Sequence, residues 1–170
     1  MIPRSTGTVN AAAAKREALR EQVWPGSSAE VWNRKVGKGF TTIPRTLGLI
    51  MTLIEELVER KKGHDVSRVY FELWCRAFDE GFLDGPDEES CAFAAGFTTE
   101  RSVRSWRERI DTLVELGFVR IAPRGTRLQG YILILDPHKV VKALHEAGRV
   151  RPEWWGAYIK RCSEIGYTLP

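Results

Sequence analysis

The amino-acid sequence predicts a mainly α-helical protein with a small β hairpin and extra helices at both ends. Three observations support this fold class: apolar residues recur at helical spacing in several segments, two later runs have the composition of strands, and glycines and prolines separate them. At 170 residues the chain has room for one domain with a proper core and additional helices. We expect an N-terminal extension over 1–39, a central domain over 40–147, and a C-terminal helix over 148–170 packed on that domain.

The N-terminal extension is predicted to be partly disordered, with one or two short helices. The first ten residues are expected to be disordered, and Asn10 can cap an alanine-rich helix that stops before Pro25. Ser27 and Glu30 have capping-box spacing for a second short helix. The segment Gly37-Lys38-Gly39 then indicates a linker to the central domain.

Two helices and a short strand open the central domain. Apolar residues from Leu47 to Val58 recur at helical spacing and predict a first helix that ends near Gly63. Ser67 is expected to open a second helix, and Phe82-Leu83 follows as a short strand that pairs with the later hairpin. These helices are the expected scaffold for the segment that comes next.

A short helix, a turn and a longer helix follow in order. Asp87 can cap the short helix, which ends at Gly96. Thr98 or Thr99 can cap the longer helix, and Gly117 suits the left-handed residue that closes its C-terminus. We interpret residues 95–99 as the turn between the two helices.

The longer helix has two chemically different faces when its residues are placed at about 100° intervals. The apolar face consists of Val103, Trp106, Ile110, Leu113 and Val114. The polar face consists of Arg101, Arg104, Ser105, Glu108, Thr112 and Glu115, with Arg107 and Arg109 on the flanks. Bases come first and acids later, which is the reverse of what the helix dipole favours. Intrinsic helix stability therefore does not explain this order of charges.

A two-stranded hairpin follows the longer helix. Residues 118–122 and 131–135 have strand-forming composition, and 123–130 is predicted to be a turn-rich loop between them. No acid occurs between Gly117 and Leu135, whereas three arginines do. Such a hairpin is suited to phosphates or to a minor groove.

Two sequence segments carry a resemblance to a known class of protein. They are residues 95–106, Ala-Gly-Phe-Thr-Thr-Glu-Arg-Ser-Val-Arg-Ser-Trp, and residues 113–119, Leu-Val-Glu-Leu-Gly-Phe-Val. With the helix-turn-helix and hairpin order around them, they resemble winged helix-turn-helix DNA-binding proteins of bacterial regulators and plasmid-maintenance systems. The resemblance covers about residues 40–145. It implies a winged helix-turn-helix fold and a role in transcriptional regulation or in maintaining a plasmid or mobile element.

The basic start of the longer helix predicts sequence-specific binding of double-stranded DNA. Arginine in the first turns of a recognition helix can make bidentate bonds to guanine or can contact phosphate. The candidate DNA-binding residues in the turn, helix and hairpin are Thr98, Thr99, Arg101, Arg104, Ser105, Arg107, Arg120, Arg124 and Arg127. Since one recognition helix reads only a few base pairs, we expect a homodimer on a symmetric site.

The charge distribution leaves a second hypothesis open. The net charge is +4, but residues 65–97 hold eight acids and two bases, whereas residues 98–170 hold thirteen bases and eight acids. A basic face can meet phosphates while an acidic face points away. The alternative is a winged helix used as a protein-interaction or adaptor module without DNA binding. Its contact would be the acidic segment 79–89 or the C-terminal helix with Trp154 and Trp155.

Catalytic chemistry finds little support in the sequence. The histidines are His64, in a predicted loop, and His138 and His145, which are seven residues apart with no carboxylate or cysteine at metal-ligand spacing. No phosphate-binding glycine motif is present. The cysteines are widely spaced and are interpreted as buried thiols: Cys75, Cys91 and Cys162. We expect no enzyme, no metal site and no cofactor. With no membrane-spanning run and no secretory signal, the prediction is a cytoplasmic protein without membrane attachment.

Overall fold

The computed structural model describes residues 6–58 and 60–169. Over these residues the protein is mainly α-helical with a small antiparallel sheet, as the sequence predicts at this coarse level. The chain divides into two compact units, one that extends to Phe40 and one that starts at Thr41. No helix in the described part of the chain is both long and apolar enough to cross a membrane.

The N-terminal unit contains helix α1, Thr6–Val23, and a single 3-10 turn, Ser27–Ala29. Helix α1 includes residues 6–10, for which the sequence predicts disorder, and residues 1–5 lie outside the described chain. The predicted short second helix from Ser27 is present only as the three-residue 3-10 turn, which ends before Val31 and Trp32. None of the turn's residues is buried, so no packing stabilises a longer helix there.

Helices α2, Leu47–Leu57, and α3, Arg60–Arg76, form the scaffold of the second unit. The boundary between them differs from the prediction, because Val58 is extended, with φ −108° and ψ 150°, and ends α2 early. Ser67 does not start the next helix but lies fully buried within α3. Its hydroxyl donates a 2.6 Å hydrogen bond to Glu55 and thereby joins the two helices.

The three strands are β1, Phe82–Asp84, β2, Val119–Arg124, and β3, Arg127–Ile134, and they form an antiparallel sheet in the order β1-β3-β2. The predicted pairing of the short first strand with the hairpin is confirmed. The predicted eight-residue loop is wrong, because both strands extend to a two-residue turn at Gly125-Thr126. Gly125 supplies the positive φ, 62°, that so short a turn requires.

The two faces of the sheet differ in burial, since residues paired across antiparallel strands point to the same face. The core face includes the paired, buried or half-buried residues Leu83, Ile132 and Ile121. The outer face includes the paired, exposed residues Phe82, Leu133 and Arg120. From Val119 to Ala122, the side chains of β2 therefore alternate between these two faces, and the pairing is irregular between Ala122 and Arg124.

Helices α4, Glu88–Ala94, and α5, Ser102–Glu115, lie on either side of a turn. Asp87 occupies the N-cap position of α4, but its side chain forms no capping bond. The prediction that Thr98 or Thr99 caps α5 is wrong, because α5 begins at Ser102. The carbonyl of Thr99, not its hydroxyl, accepts a 2.9 Å hydrogen bond from the Ser102 backbone N–H.

Helices α6, Pro137–Glu146, and α7, Pro152–Glu164, complete the chain. Trp154 of α7 is buried, and its indole N–H donates a 3.0 Å hydrogen bond to Thr52 of α2. The Trp154 ring also stacks on Tyr158, with 5.1 Å between ring centroids. The C-terminal helix therefore belongs to the same core as the scaffold helices.

Candidate nucleic-acid interface

The inner face of α5 fixes the orientation of this helix. Trp106, Ile110 and Leu113 are each fully buried in the core, at spacings of four and three residues. Side chains at these spacings lie on one face of an α-helix. The helix therefore cannot rotate without exposing large apolar surface, and the residues on its opposite face are held toward solvent.

The first half of the outer face of α5 is basic. Arg101 and Arg104 are exposed, and Ser105 is half-buried beside them. The Arg104 side chain is 77% exposed, and its Nε donates a 3.2 Å hydrogen bond to Glu108 one turn later. Arg101 forms no ion pair with any described residue. An exposed ion pair such as Arg104–Glu108 is weak, so Arg104 can exchange Glu108 for another anion at little cost in free energy.

The turn before α5 brings two further candidates to the surface. Thr98 and Thr99 are both exposed and directly precede the basic helix start. The turn is braced by Arg109, whose guanidinium carbon lies 5.9 Å from the centre of the Phe97 ring. The guanidinium of Arg68 of α3 lies directly against Gly96, and a side chain at position 96 would require that guanidinium to move. Sequence reasoning missed Arg68, because it occurs among the acids of residues 65–97 and no local pattern marks it.

Arg107 has a different environment from Arg101 and Arg104. Its Nε and Nη2 atoms donate hydrogen bonds of 2.9 and 2.5 Å to the two carboxylate oxygens of Glu88. The Glu88 side chain is only 8% exposed, and this bidentate bond raises the pKa of Arg107. Arg107 therefore joins α5 to the start of α4, and its charge is largely committed to this internal contact.

The hairpin arginines lie in two places, Arg124 and Arg127 beside the turn and Arg120 farther from it along β2. Arg124 forms a 3.0 Å ion pair with Asp84, and its guanidinium lies 5.9 Å from the centre of the Tyr131 ring. Arg120 lies on the outer face of the sheet, next to α6. Arg127 is exposed at the start of β3, beside the tip of the hairpin. The structure thus gathers Thr98, Thr99, Arg101, Arg104 and Ser105 at one helix start and places the hairpin arginines separately.

The cysteines differ in their surroundings. Cys91 and Cys162 are buried, but the prediction of a buried thiol is wrong for Cys75, which is exposed on α3. Burial raises the pKa of the Cys91 thiol to about 12, so this cysteine stays protonated near neutral pH. Within the described residues, no group of three or more histidine, cysteine or acidic side chains has the geometry to hold a metal ion.

Comparisons with known proteins add no assignment. No protein-family model matches the chain, and neither curated proteins nor solved structures give a match. Function is therefore inferred from the geometry and charge of the side chains described above.

Proposed function

We propose that the second unit is a winged helix-turn-helix domain that binds double-stranded DNA in a sequence-specific manner. The order α3-β1-α4-α5-β2-β3 and the sheet order β1-β3-β2 support this proposal. In such a domain α4 and α5 are the helix-turn-helix, α5 is the recognition helix, and the β2-β3 hairpin is the wing.

The basic outer face at the start of α5 is the observation that carries the proposal. Arg101 is the N-cap residue of α5 and Arg104 lies in its first turn, on the side opposite the buried Trp106, Ile110 and Leu113, so the core holds both arginines toward solvent. A recognition helix presents its N-terminal residues to the base edges of the major groove. Thr98, Thr99 and Ser105 provide hydroxyl groups around the two arginines for bases or phosphates.

The wing supplies contacts to the DNA backbone in this proposal. Arg127 is exposed near the hairpin tip and needs no rearrangement to reach a phosphate. Arg124 would exchange Asp84 for phosphate, and both members of that ion pair are more than half exposed. Arg120 is the third candidate on this hairpin. Arg107 contributes indirectly, because its bond to Glu88 fixes α4 and α5 together.

We further propose that the protein acts as a homodimer in transcriptional regulation or in plasmid or mobile-element maintenance. One recognition helix contacts only a few base pairs, and two copies on a palindromic site multiply the specificity. The residues of α5 supply the reading surface in each copy, and the biological setting follows from the sequence resemblance.

A second candidate function rests on exposed aromatic residues. Phe78 is 82% exposed and Phe93 is 72% exposed, on either side of the acidic segment 79–89, which holds six acids and no base. Large aromatic side chains are enriched in the contact surfaces of protein complexes. This favours a protein partner on the acidic side of the unit, either in place of DNA or in addition to it.

A pool of random DNA duplexes tests the proposal directly. The protein is incubated with the pool at several salt concentrations, and the duplexes that stay bound are sequenced. We expect enrichment of a palindromic motif and an affinity that falls steeply with salt, because bound phosphates release counterions. Weak binding without a motif would contradict sequence specificity, and no binding at low salt would favour the protein-interaction module.

A further inference from the structure

A groove of about 530 Å³ lies between the end of α5, the start of β2 and helix α6. Its floor is apolar and consists mainly of Leu116, Leu135, Val140 and Leu144. Gly117 leaves one side open, because a Cβ atom added there would meet only Val140 Cγ1, at 4.0 Å. The volume is in the range of sites that hold small organic molecules.

The rim of this groove is positively charged. Arg120, Lys139 and Arg149 line it, all three are exposed, and none forms an ion pair with a described carboxylate. The acid in the lining is Asp136, whose carboxylate accepts a 3.0 Å hydrogen bond from the His138 backbone N–H and caps α6. Three bases against one acid leave a net positive charge beside an apolar floor.

We propose that this groove binds a small organic anion with an apolar body, of the medium-chain carboxylate type. The chain would lie on the leucine-rich floor, where its burial removes apolar surface from water. The carboxylate would lie at the rim, where Arg120 offers paired N–H donors and Lys139 and Arg149 add charge. The groove has both properties that such an anion requires, namely an apolar floor and basic rim residues that form no ion pair with a described carboxylate.

Occupation of the groove would also affect the wing. Arg120 belongs both to the groove and to the candidate DNA contacts, so a bound carboxylate would compete with phosphate for it. This consequence rests on the proposed DNA binding, whereas binding of the anion does not.

Calorimetric titration of the full chain with decanoate, without DNA and below its micelle concentration, tests the site. We expect saturable binding at one site, with octanoate weaker by on the order of tenfold because it lacks two buried methylenes. Decan-1-ol serves as the neutral control and should bind more weakly than decanoate. Failure of decanoate to bind, or equal binding of the alcohol, would overturn the proposal.

Variants at the rim and in the groove locate the site. Lys139→Gln and Arg149→Gln should each weaken decanoate binding by about threefold, as expected for an exposed charge pair. Lys160→Gln, at an exposed position of α7, is the matched control and should leave binding unchanged. Unchanged binding in the rim variants would contradict the assignment to this groove.

Ala143→Trp should block the groove, because Ala143 is an exposed lining residue of α6. Circular dichroism checks that this variant is folded, and the rim variants keep the test valid if it is not. Sedimentation velocity distinguishes another occupant. A dimer that Ala143→Trp disrupts, with no decanoate binding in the parent protein, would assign the groove to a second copy and overturn the proposal.

Discussion

The two faces of α5 differ sharply in burial. Trp106 is fully buried, whereas Arg104, only two residues away, has a side chain that is 77% exposed. Arg107 lies between these extremes, with a side chain that is 45% exposed and a bidentate bond to Glu88. Three roles are thus separated within about one turn of the helix: anchoring in the core, joining to α4, and presenting charge to solvent.

This difference shows that charge alone does not define a binding surface. Arg104 and Arg107 carry the same group, but only Arg104 faces solvent with a partner that is easily exchanged. The partner of Arg107 is a nearly buried carboxylate, and loss of the arginine would leave that carboxylate without its bidentate partner. We therefore expect substitutions along α5 to affect either stability or DNA binding, according to the face they occupy.

Trp106→Ala, on the buried face of α5, should have the largest effect of these variants, and the effect is on stability. Removal of a fully buried indole leaves a cavity, and we expect the free energy of unfolding to fall by about 3–5 kcal/mol. Urea denaturation followed by circular dichroism measures this loss. Trp106→Phe is the control and should cost less, because it fills part of the space. A loss below about 1 kcal/mol in the alanine variant would show that α5 is not anchored through this face.

The double substitution Arg101→Ala with Arg104→Ala should act on DNA binding and not on stability. We expect a loss of about 1–3 kcal/mol in binding free energy for each base-specific contact removed. Fluorescence anisotropy with the selected duplex measures the affinity, and urea denaturation should give an unchanged stability. Lys160→Ala is the matched loss of one exposed base and should have little effect. An unchanged affinity in a folded double variant would remove this face from the interface.

Arg107→Ala should instead act on stability and not directly on DNA binding. It leaves the Glu88 carboxylate, only 8% exposed, without its bidentate partner, and we expect the unfolding free energy to fall by about 1–2 kcal/mol. Combining it with Glu88→Gln should recover part of the loss, which a double-mutant cycle measures. Arg104→Ala is the comparison and should change stability by less than about 0.5 kcal/mol. Equal losses in both arginine variants would contradict the division of roles.

Glu108→Gln should have the smallest effect, and that effect should be an increase in DNA affinity. It removes the carboxylate that pairs with Arg104 and also a negative charge near the proposed phosphate path. We expect DNA affinity to rise by about two- to fivefold, in the range of one exposed ion pair. Repeating the measurement at high salt should shrink this gain, because salt screens the interaction. A weaker affinity would mean that Glu108, which pairs with Arg104 and Arg109, positions one of these arginines for binding.

The buried face of α5 and the short strand β1 were predictable from the sequence because each leaves a local signal. Trp106 follows from helical spacing, and Phe82-Leu83 follows from strand-forming composition. The contacts of Arg107 with Glu88 and of Arg124 with Asp84 were not predictable. Each joins residues 19 or more positions apart, and no local rule selects one acid among the eight of residues 65–97.

Helix boundaries and turns were also harder to predict than helix faces. The helical spacing of apolar residues ends at Val58, but residues 59–62 contain no glycine or proline, so the helix was predicted to continue to Gly63, whereas the backbone of Val58 is extended. The hairpin loop was predicted too long because Pro123 and Gly130 suggest loop structure, whereas the sheet accommodates both next to an irregularity. Arg124 is thereby placed over Tyr131, at a position that composition alone does not indicate.

The most direct test of the central claim is a parallel selection of random duplexes with the parent protein and with Arg104→Ala. If the outer face of α5 reads bases, the variant should still select a related motif but lose its preference at one or two positions in each half-site. The same motif with the same preferences from both proteins would contradict base reading by Arg104. It would leave this surface, at most, as a sequence-independent contact to phosphate.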